Sequence, residues 1–148
     1  MTKVTDILQL INKVIEDGQR TGGPDQTRVL STNAVTKKLG LTARTVRFYC
    51  EVGIARPLRR GTTRLFQPDQ VRRLELAREL RNLGMDVRSV TDLLDQLYLP
   101  EARQHKLQTL TELLSSHLNH LLLREEEVRK QYHVTTRLAE ELFATGKH

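Results

Sequence analysis

The sequence predicts a mainly α-helical protein, in which a small helical head with a two-stranded hairpin is followed by one long helix. Three observations predict this fold class. Apolar residues recur every three or four positions along most of the chain, which is typical of amphipathic helices. Residues 55–67 break that period and are rich in arginine and threonine around a single glycine, which favours a hairpin. Residues 101–143 contain neither glycine nor proline, so no turn is predicted within them.

Composition and charge are unevenly distributed. The chain has three Phe, three Tyr and no Trp among 148 residues, which argues against a large globular core and favours leucine-rich helix packing. Residues 28–99 hold fourteen Lys and Arg against seven Asp and Glu, a net charge of +7, whereas residues 1–27 carry −1 and residues 100–148 are neutral. A basic block of this kind is typical of a nucleic-acid-binding domain, although a solvated basic surface would give the same count.

Several classes of protein are excluded by what the sequence lacks. The single cysteine, Cys50, cannot form an internal disulfide or a paired-cysteine metal site, which indicates an intracellular protein. No stretch approaches the ~20 apolar residues that span a bilayer, and no signal-peptide cleavage pattern is present, so we expect a cytoplasmic protein without a membrane partner. There is no phosphate-binding glycine loop, dinucleotide fingerprint or catalytic carboxylate pair. We therefore expect neither an enzyme nor a bound cofactor or metal.

Residues 1–27 are predicted to form an N-terminal segment of their own. Apolar residues at helical spacing predict an amphipathic helix over 3–17 that ends near Gly18. Residues 18–27 contain three glycines and one proline, which indicates a mobile linker. We therefore expect this helix to stand apart from the domain over 28–99 and to pack on the dimer or on a partner.

The next stretch predicts a helix-turn-helix. A short helix over 33–39 ends at Gly40, because glycine adopts the left-handed conformation at little cost. Thr42 is a suitable N-cap for a second helix that runs to about Val52, where Gly53 closes it. Two short helices joined by such a tight turn form the motif whose second helix enters the major groove of DNA.

The residues after the second helix predict a wing of two short extended arms, with Leu58 and Leu65 facing inward. Pro68 suits the first position of a further helix, and Asp86 can cap the helix after that. Together these elements predict a winged helix-turn-helix domain over 28–99.

Residues 100–148 predict a long helix that pairs with another helix. At about 1.5 Å per residue the helix would be roughly 65 Å long, too long to pack against so small a head. Its apolar residues recur in a seven-residue frame, which favours two-helix pairing even though His117, Arg124 and Gln131 interrupt the frame. A helix that folds back within a monomer is the alternative, and the absence of a turn signal disfavours it. The predicted dimerisation residues are Leu107, Leu110, Leu114, Leu121, Val128, Leu138 and Leu142.

About half of the chain also carries an ordered series of short motifs. The series consists of Arg44-Thr45-Val46-Arg47-Phe48-Tyr49, Glu51, Gly53, Arg56-Pro57, Arg64-Leu65-Phe66, Asp69 and Leu83-Gly84-Met85. Together these motifs resemble the DNA-binding domain of the MerR family over residues 29–97. The resemblance implies a homodimer joined by an antiparallel coiled coil. Such a dimer would bind a pseudo-palindromic operator in double-stranded DNA and distort the promoter for RNA polymerase.

The resemblance and the side-chain chemistry together identify candidate DNA contacts. Arginine offers a planar charged donor fork for guanine edges and phosphates, and threonine can donate to phosphate or touch a thymine methyl group. Between residues 44 and 64, six arginines stand against a single glutamate, an excess that weakens folding unless an anion lies against it. The predicted DNA-binding residues are Arg44, Thr45, Arg47, Tyr49, Arg59, Arg60, Thr63 and Arg64.

Three residues of the second helix have alternative interpretations. Arg47 could pair with Glu51 one turn later, and Tyr49 could pack on Pro57 as a core residue. Cys50 could be a thiol sensor whose thiolate is favoured by the charge of Arg47, or an inert, half-buried thiol.

Two further interpretations stay open for the whole chain. His117 and His120 lie one turn apart and could bind a metal across a dimer, although such pairs are usually solvated. Some domains that resemble MerR bind a protein instead of DNA, as chaperone modulators do, and these tend to lose the recognition arginines that this chain keeps. An outward-facing arginine cluster continuous with the wing would favour DNA, whereas internal ion pairs would favour a protein partner.

Overall fold

The computed structural model describes residues 4–20 and 28–147. The mainly helical winged helix-turn-helix fold that the sequence predicts, with its long C-terminal helix, is confirmed. Most of the predicted linker, residues 21–27, lies outside the described residues. Within them the elements are α1 (Val4–Gln19), β1 (Leu30–Ser31), α2 (Thr32–Leu39), α3 (Ala43–Glu51), β2 (Leu58–Arg60), β3 (Thr63–Phe66), α4 (Pro68–Asn82), α5 (Val87–Tyr98) and α6 (Arg103–Gly146).

The chain divides into two compact units, the first ending at Leu107 and the second beginning at Gln108. The first unit contains the elements from α1 to α5 and the start of α6, and the second consists of the rest of α6. The predicted functional domains over 1–27, 28–99 and 100–148 stay predictions.

The helix-turn-helix formed by α2 and α3 follows from local sequence signals. Ser31 caps α2, since its Oγ accepts a hydrogen bond from the backbone N of Ala34 at 3.2 Å. Gly40 ends α2 with a φ of 66°, a left-handed conformation that favours glycine. Thr42 caps α3, since its Oγ1 accepts from the backbone N of Thr45 at 3.1 Å. Because these signals act over three residues or fewer, both helices begin and end close to where the sequence predicts.

The wing is the β2–β3 hairpin of a three-stranded antiparallel sheet with the order β1-β3-β2. The sequence predicts only two strands, because a two-residue strand such as β1 has no periodicity by which to recognise it. The expectation that Leu58 faces inward is wrong: all three residues of β2 are exposed to solvent. Leu65 is half-buried, and the hairpin is anchored to the core by Phe66, which is fully buried.

The core of the first unit lies between α4, α5 and α1, and α1 packs on both of the other helices. One face of α1 is buried there, through Leu10, Ile11, Val14 and Ile15. Burying an aliphatic side chain of this size stabilises a fold by roughly 1.5–3 kcal/mol. The expectation that this helix stands apart is therefore wrong, because the chain's own α4 and α5 cover its apolar face.

Polar and steric contacts hold the C-terminal end of α1 in place. Asp17 accepts two hydrogen bonds from the guanidinium of Arg72 on α4, both at 2.6 Å. Gly18 lies against the end of α5, where an added Cβ would come within 2.7 Å of the carbonyl oxygen of Tyr98. Only glycine fits there without a backbone shift, so α1 is an integral part of the first unit.

α6 is one continuous helix of 44 residues, so the fold-back alternative is not observed. Its apolar residues beyond Leu118 are largely exposed in the second unit. Ion pairs at i,i+4 spacing lie on its surface, such as Glu125 with Arg129 at 2.9 Å. In the described ranges, no helix combines the length and the apolar character that crossing a membrane requires.

Candidate nucleic-acid interface

α3 buries Val46 and Tyr49 and leaves its basic side chains and Phe48 exposed. Val46 is fully buried in the core of the helix-turn-helix, whereas Arg44 and Arg47 are exposed and Thr45 is half-buried. These outward residues border a shallow depression on the surface of the helix. Its lining residues are Arg44, Thr45, Arg47, Phe48 and Glu51.

The wing carries four of the predicted DNA-binding residues. Arg59, Arg60 and Thr63 are exposed, and Arg64 is half-buried. The strand register places Arg59 directly opposite Arg64 and Arg60 opposite Thr63. Like charges on directly opposed strand residues repel each other, and a bound anion relieves the repulsion. The wing is therefore suited to an anionic partner.

Cys50 on α3 is half-buried and lies within electrostatic reach of two arginines of the wing. The charges of Arg64 and Arg59 both act on its half-buried thiol. Burial raises the pKa of Cys50 above its usual value, and the two arginines oppose that rise only in part. The sequence suggests Arg47 as the source of the opposing charge, whereas the structure assigns it to the wing. A raised pKa favours the inert thiol over the sensor, because the thiolate is the reactive form.

Two groups of arginines in the first unit differ in their surroundings. Those of α3 and the wing form no ion pair with any residue that the structure describes, and the alternative pair of Arg47 with Glu51 is not formed. We call this group, Arg44, Arg47, Arg59, Arg60 and Arg64, the basic surface. The arginines of α4 are instead occupied internally. Their partners are Asp17 for Arg72, Asp95 for Arg73, Glu79 for Arg78 and the carbonyl oxygen of Met85 for Arg81.

Comparison with known proteins assigns this head to a family. A family profile described as "MerR HTH family regulatory protein" matches residues 30–97. The chain carries a helix-turn-helix domain of the MerR family. This confirms the resemblance found in the sequence, and the profile describes regulatory proteins, not enzymes.

Two solved structures are similar to the chain. One is described as a MerR family transcriptional regulator from Listeria monocytogenes; it has 23% sequence identity and a TM-score of 0.52, over 76% of this chain and 83% of that one. The other is HiNmlR, described as a MerR family regulator lacking the sensor domain and bound to promoter DNA; it has 21% identity and a TM-score of 0.49, over 64% of this chain and 76% of that one. No match was found among curated proteins. At this identity the first likeness shows the fold alone.

Tyr49 is buried, unlike the other residues predicted to contact DNA. Its side chain is only 6% exposed, and its ring centroid lies 6.1 Å from that of Phe48. The backbone carbonyl of Tyr49 accepts hydrogen bonds from Ile54 at 2.9 Å and Ala55 at 3.4 Å. This burial favours the core interpretation, and contact between Tyr49 and DNA stays a prediction that burial does not support.

Two polar residues of α4 contact the segment between α3 and the wing, and neither is predicted from the sequence. Gln70 accepts the backbone N–H of Arg56 at its Oε1, at 2.7 Å. Arg73 donates from Nε to the backbone oxygen of Ile54, also at 2.7 Å. Polar residues on a helix are ordinarily exposed, so no sequence signal could have identified these two as buried.

The predicted dimerisation residues lie along α6 with different exposures. Leu110 is buried and Leu107 and Leu114 are half-buried, whereas the remaining four are exposed. Their role in self-association stays a prediction. Among the described residues of one chain, His117 and His120 belong to no group of three metal-binding side chains, and a metal held across a dimer stays an untested alternative.

Proposed function

We propose that this protein is a transcription regulator that binds a promoter operator in double-stranded DNA as a homodimer. The observation that carries this proposal is the basic surface, whose arginines form no ion pair with any residue that the structure describes, while those of α4 are occupied internally. Unpaired cations that face outward can neutralise phosphates and release counterions, which is the main source of affinity for DNA. The protein-interaction alternative predicts internal ion pairs at these positions, and the described residues contain none.

The proposal assigns different contacts to α3 and to the wing. α3 enters the major groove, where Arg44 and Arg47 reach guanine edges or phosphates. The hydroxyl of Thr42 donates to Oγ1 of Thr45 at 2.9 Å, which leaves the proton of Thr45 available for a phosphate oxygen. The wing residues that contact the backbone are Arg59, Arg60, Thr63 and Arg64.

The dimer is assigned to α6. Its exposed leucines in the second unit would be covered by the same face of a partner helix, in an antiparallel coiled coil. Two heads related by a two-fold axis bind a pseudo-palindromic operator. Distorting the DNA between the half-sites costs a few kcal/mol, offset by the contacts of α3 and the wing, and realigns the promoter for RNA polymerase.

The phosphate role of the wing is tested by the salt dependence of binding. The slope of log K against log salt decreases in magnitude by about 0.9 for each phosphate that the protein no longer neutralises. We expect Arg64→Ala to lower the slope by about 0.9 per head, or about 1.8 for a dimer on a full operator. Arg129→Ala changes the net charge equally, but Arg129 is paired with Glu125, so the slope should not change. An unchanged slope for Arg64→Ala would contradict the proposed phosphate contact.

A further inference from the structure

The segment between α3 and the wing is held at two adjacent points by one helix. Arg73 binds the carbonyl of Ile54 at 2.7 Å, and Gln70 binds the N–H of Arg56 at 2.7 Å. Both side chains come from the same face of α4, three residues apart. The hydrogen bonds are made to backbone atoms, so they fix the path of the chain whatever side chains the segment carries.

Arg73 also contacts α5, so it connects the segment to a second helix. Its Nη1 donates to the carbonyl of Leu94 at 3.3 Å, its Nη2 lies 3.1 Å from Oδ1 of Asp95, and its guanidinium lies over the ring of Tyr98 at 5.5 Å. The residue is only 6% exposed. A buried guanidinium costs free energy unless its donors are satisfied, so a residue that served only to fill space would be apolar.

Close packing does not fix the segment on the side of Arg56. A cavity of about 320 Å³ lies there, bordered by Arg56, Gln70 and Arg73. The polar groups of Gln70 and Arg73 are already bonded within the protein, which argues against a ligand as the reason for their placement. At exposed Arg56 the hydrogen bond from Gln70 therefore fixes the backbone beside the cavity, next to Ile54 and Ala55, which are packed in the core.

We propose that Gln70 and Arg73 are positioning residues that set the wing relative to α3, so that both reach DNA at the same time. The inference rests on the proposed DNA-binding function. It predicts that replacing Arg73 leaves all five arginines of the basic surface in place, but no longer holds those of the wing at a fixed position relative to those of α3. The wing then no longer contributes to binding by α3.

A double-mutant cycle tests this coupling. In the wild-type background, Arg64→Ala should weaken operator binding about tenfold, as expected for a hydrogen bond to a charged group. In an Arg73→Met background, the same change should weaken binding less than about threefold, because the wing is already displaced. Arg78→Met is the matched control, since Arg78 also joins α4 to a distant backbone carbonyl, that of Leu39, and pairs with a carboxylate, that of the adjacent Glu79. In that background the tenfold effect should remain.

The outcomes separate the inference from the function on which it rests. If Arg64→Ala has no effect in the wild-type background, the proposed wing contact fails. If it weakens binding about tenfold in all three backgrounds, the wing contact stands and the positioning role is overturned. A lower stability of the Arg73→Met variant alone would change binding in proportion to the folded fraction and would leave the effect of Arg64→Ala unchanged.

A milder variant keeps the test decisive if Arg73→Met does not fold. Gln70→Leu removes the hydrogen bonds to Arg56 and to Asp69 and should also reduce the effect of Arg64→Ala on binding. Hydrogen exchange of the free protein gives a readout without DNA: the Arg56 amide should exchange at least tenfold faster in Gln70→Leu, while the Leu94 amide within α5 is unchanged. Equal protection of Arg56 in both proteins would overturn the role of Gln70.

Discussion

At the scale of single residues, the arginines of α4 and of the basic surface share one chemistry but have different surroundings. Three of the four arginines of α4, Arg72, Arg73 and Arg78, meet groups from distant parts of the chain, as when Arg72 meets Asp17, 55 residues away. A local sequence pattern does not contain such partners. The sequence could therefore predict where arginines are dense, but not which of them the fold would use internally.

The pair of Arg72 and Asp17 leads to an asymmetric prediction. The side chain of Asp17 is 5% exposed and that of Arg72 is 23% exposed. Arg72→Met leaves a buried carboxylate without its cation and should lower the free energy of unfolding by about 3 kcal/mol. Asp17→Asn keeps a hydrogen-bond acceptor and leaves an arginine that reaches water, so it should cost about 1 kcal/mol. Urea unfolding measures both, and an equal or greater loss for Asp17→Asn would contradict the assigned burial.

Cys50 illustrates the limit of sequence reasoning at this scale. The sequence places a basic residue one turn away, which favours a thiolate, but it does not reveal how far the thiol is buried. In the structure burial is the larger effect, and it raises the pKa of Cys50 despite Arg64 and Arg59. A raised pKa favours the inert, half-buried thiol over the sensor.

At the scale of elements, local sequence signals were sufficient to predict the helix-turn-helix, but they were insufficient to predict where α1 packs. The caps act within three residues, so the end of α2 and the start of α3 could be predicted from Gly40 and Thr42. The period of α1 predicted its apolar face, but the surface that covers this face belongs to α4 and α5. The glycine-rich stretch after α1 suggested that α1 stands apart from the following domain. Gly18 is instead needed so that the end of α1 can approach Tyr98 closely.

The cap of α5 gives a prediction with a pH dependence. Asp86 accepts a hydrogen bond from the N of Ser89 at 2.7 Å, which lowers the pKa of Asp86 below its usual value of 3.8. A lowered folded-state pKa contributes stability above the unfolded-state pKa, and this contribution is lost as the pH falls through the folded-state pKa.

We expect Asp86→Ala to lower the free energy of unfolding by about 1 kcal/mol at pH 7, as is usual for an N-cap. The difference from wild type should shrink as the pH falls below about 4. Asp86→Asn is the control, because it can cap the helix without titrating. A difference between wild type and Asp86→Ala that stays constant from pH 7 to about pH 2 would contradict the charged cap.

At the scale of the whole molecule, the extent of α6 was predicted to within three residues at each end. The absence of glycine and proline over 101–143 corresponds to an uninterrupted helix over Arg103–Gly146. Which face of α6 pairs with a partner is harder to predict, because the seven-residue frame is interrupted and one chain does not contain the partner. The dimerisation residues therefore need a direct test.

Self-association is tested by a matched pair of substitutions. Leu121 lies in the predicted frame, and Leu123 lies about 200° further around the helix. Leu121→Asp should give a monomer of 17.1 kDa in sedimentation equilibrium, since it buries a charge in the seam. Leu123→Asp should sediment as the wild-type dimer. A dimer that survives Leu121→Asp would remove this residue from the seam, and a wild-type monomer would exclude the dimer altogether.

The most direct test of the central claim is the selection of bound duplexes from a random pool, with the affinity followed against salt concentration. The chain should enrich an inverted repeat and bind it with nanomolar affinity, because two α3 helices read two half-sites. A variant with Arg44, Arg47 and Arg64 changed to alanine should enrich no sequence. If the wild-type protein also enriched none, and bound only weakly in a manner erased by salt, the account would be contradicted and a protein partner would be indicated.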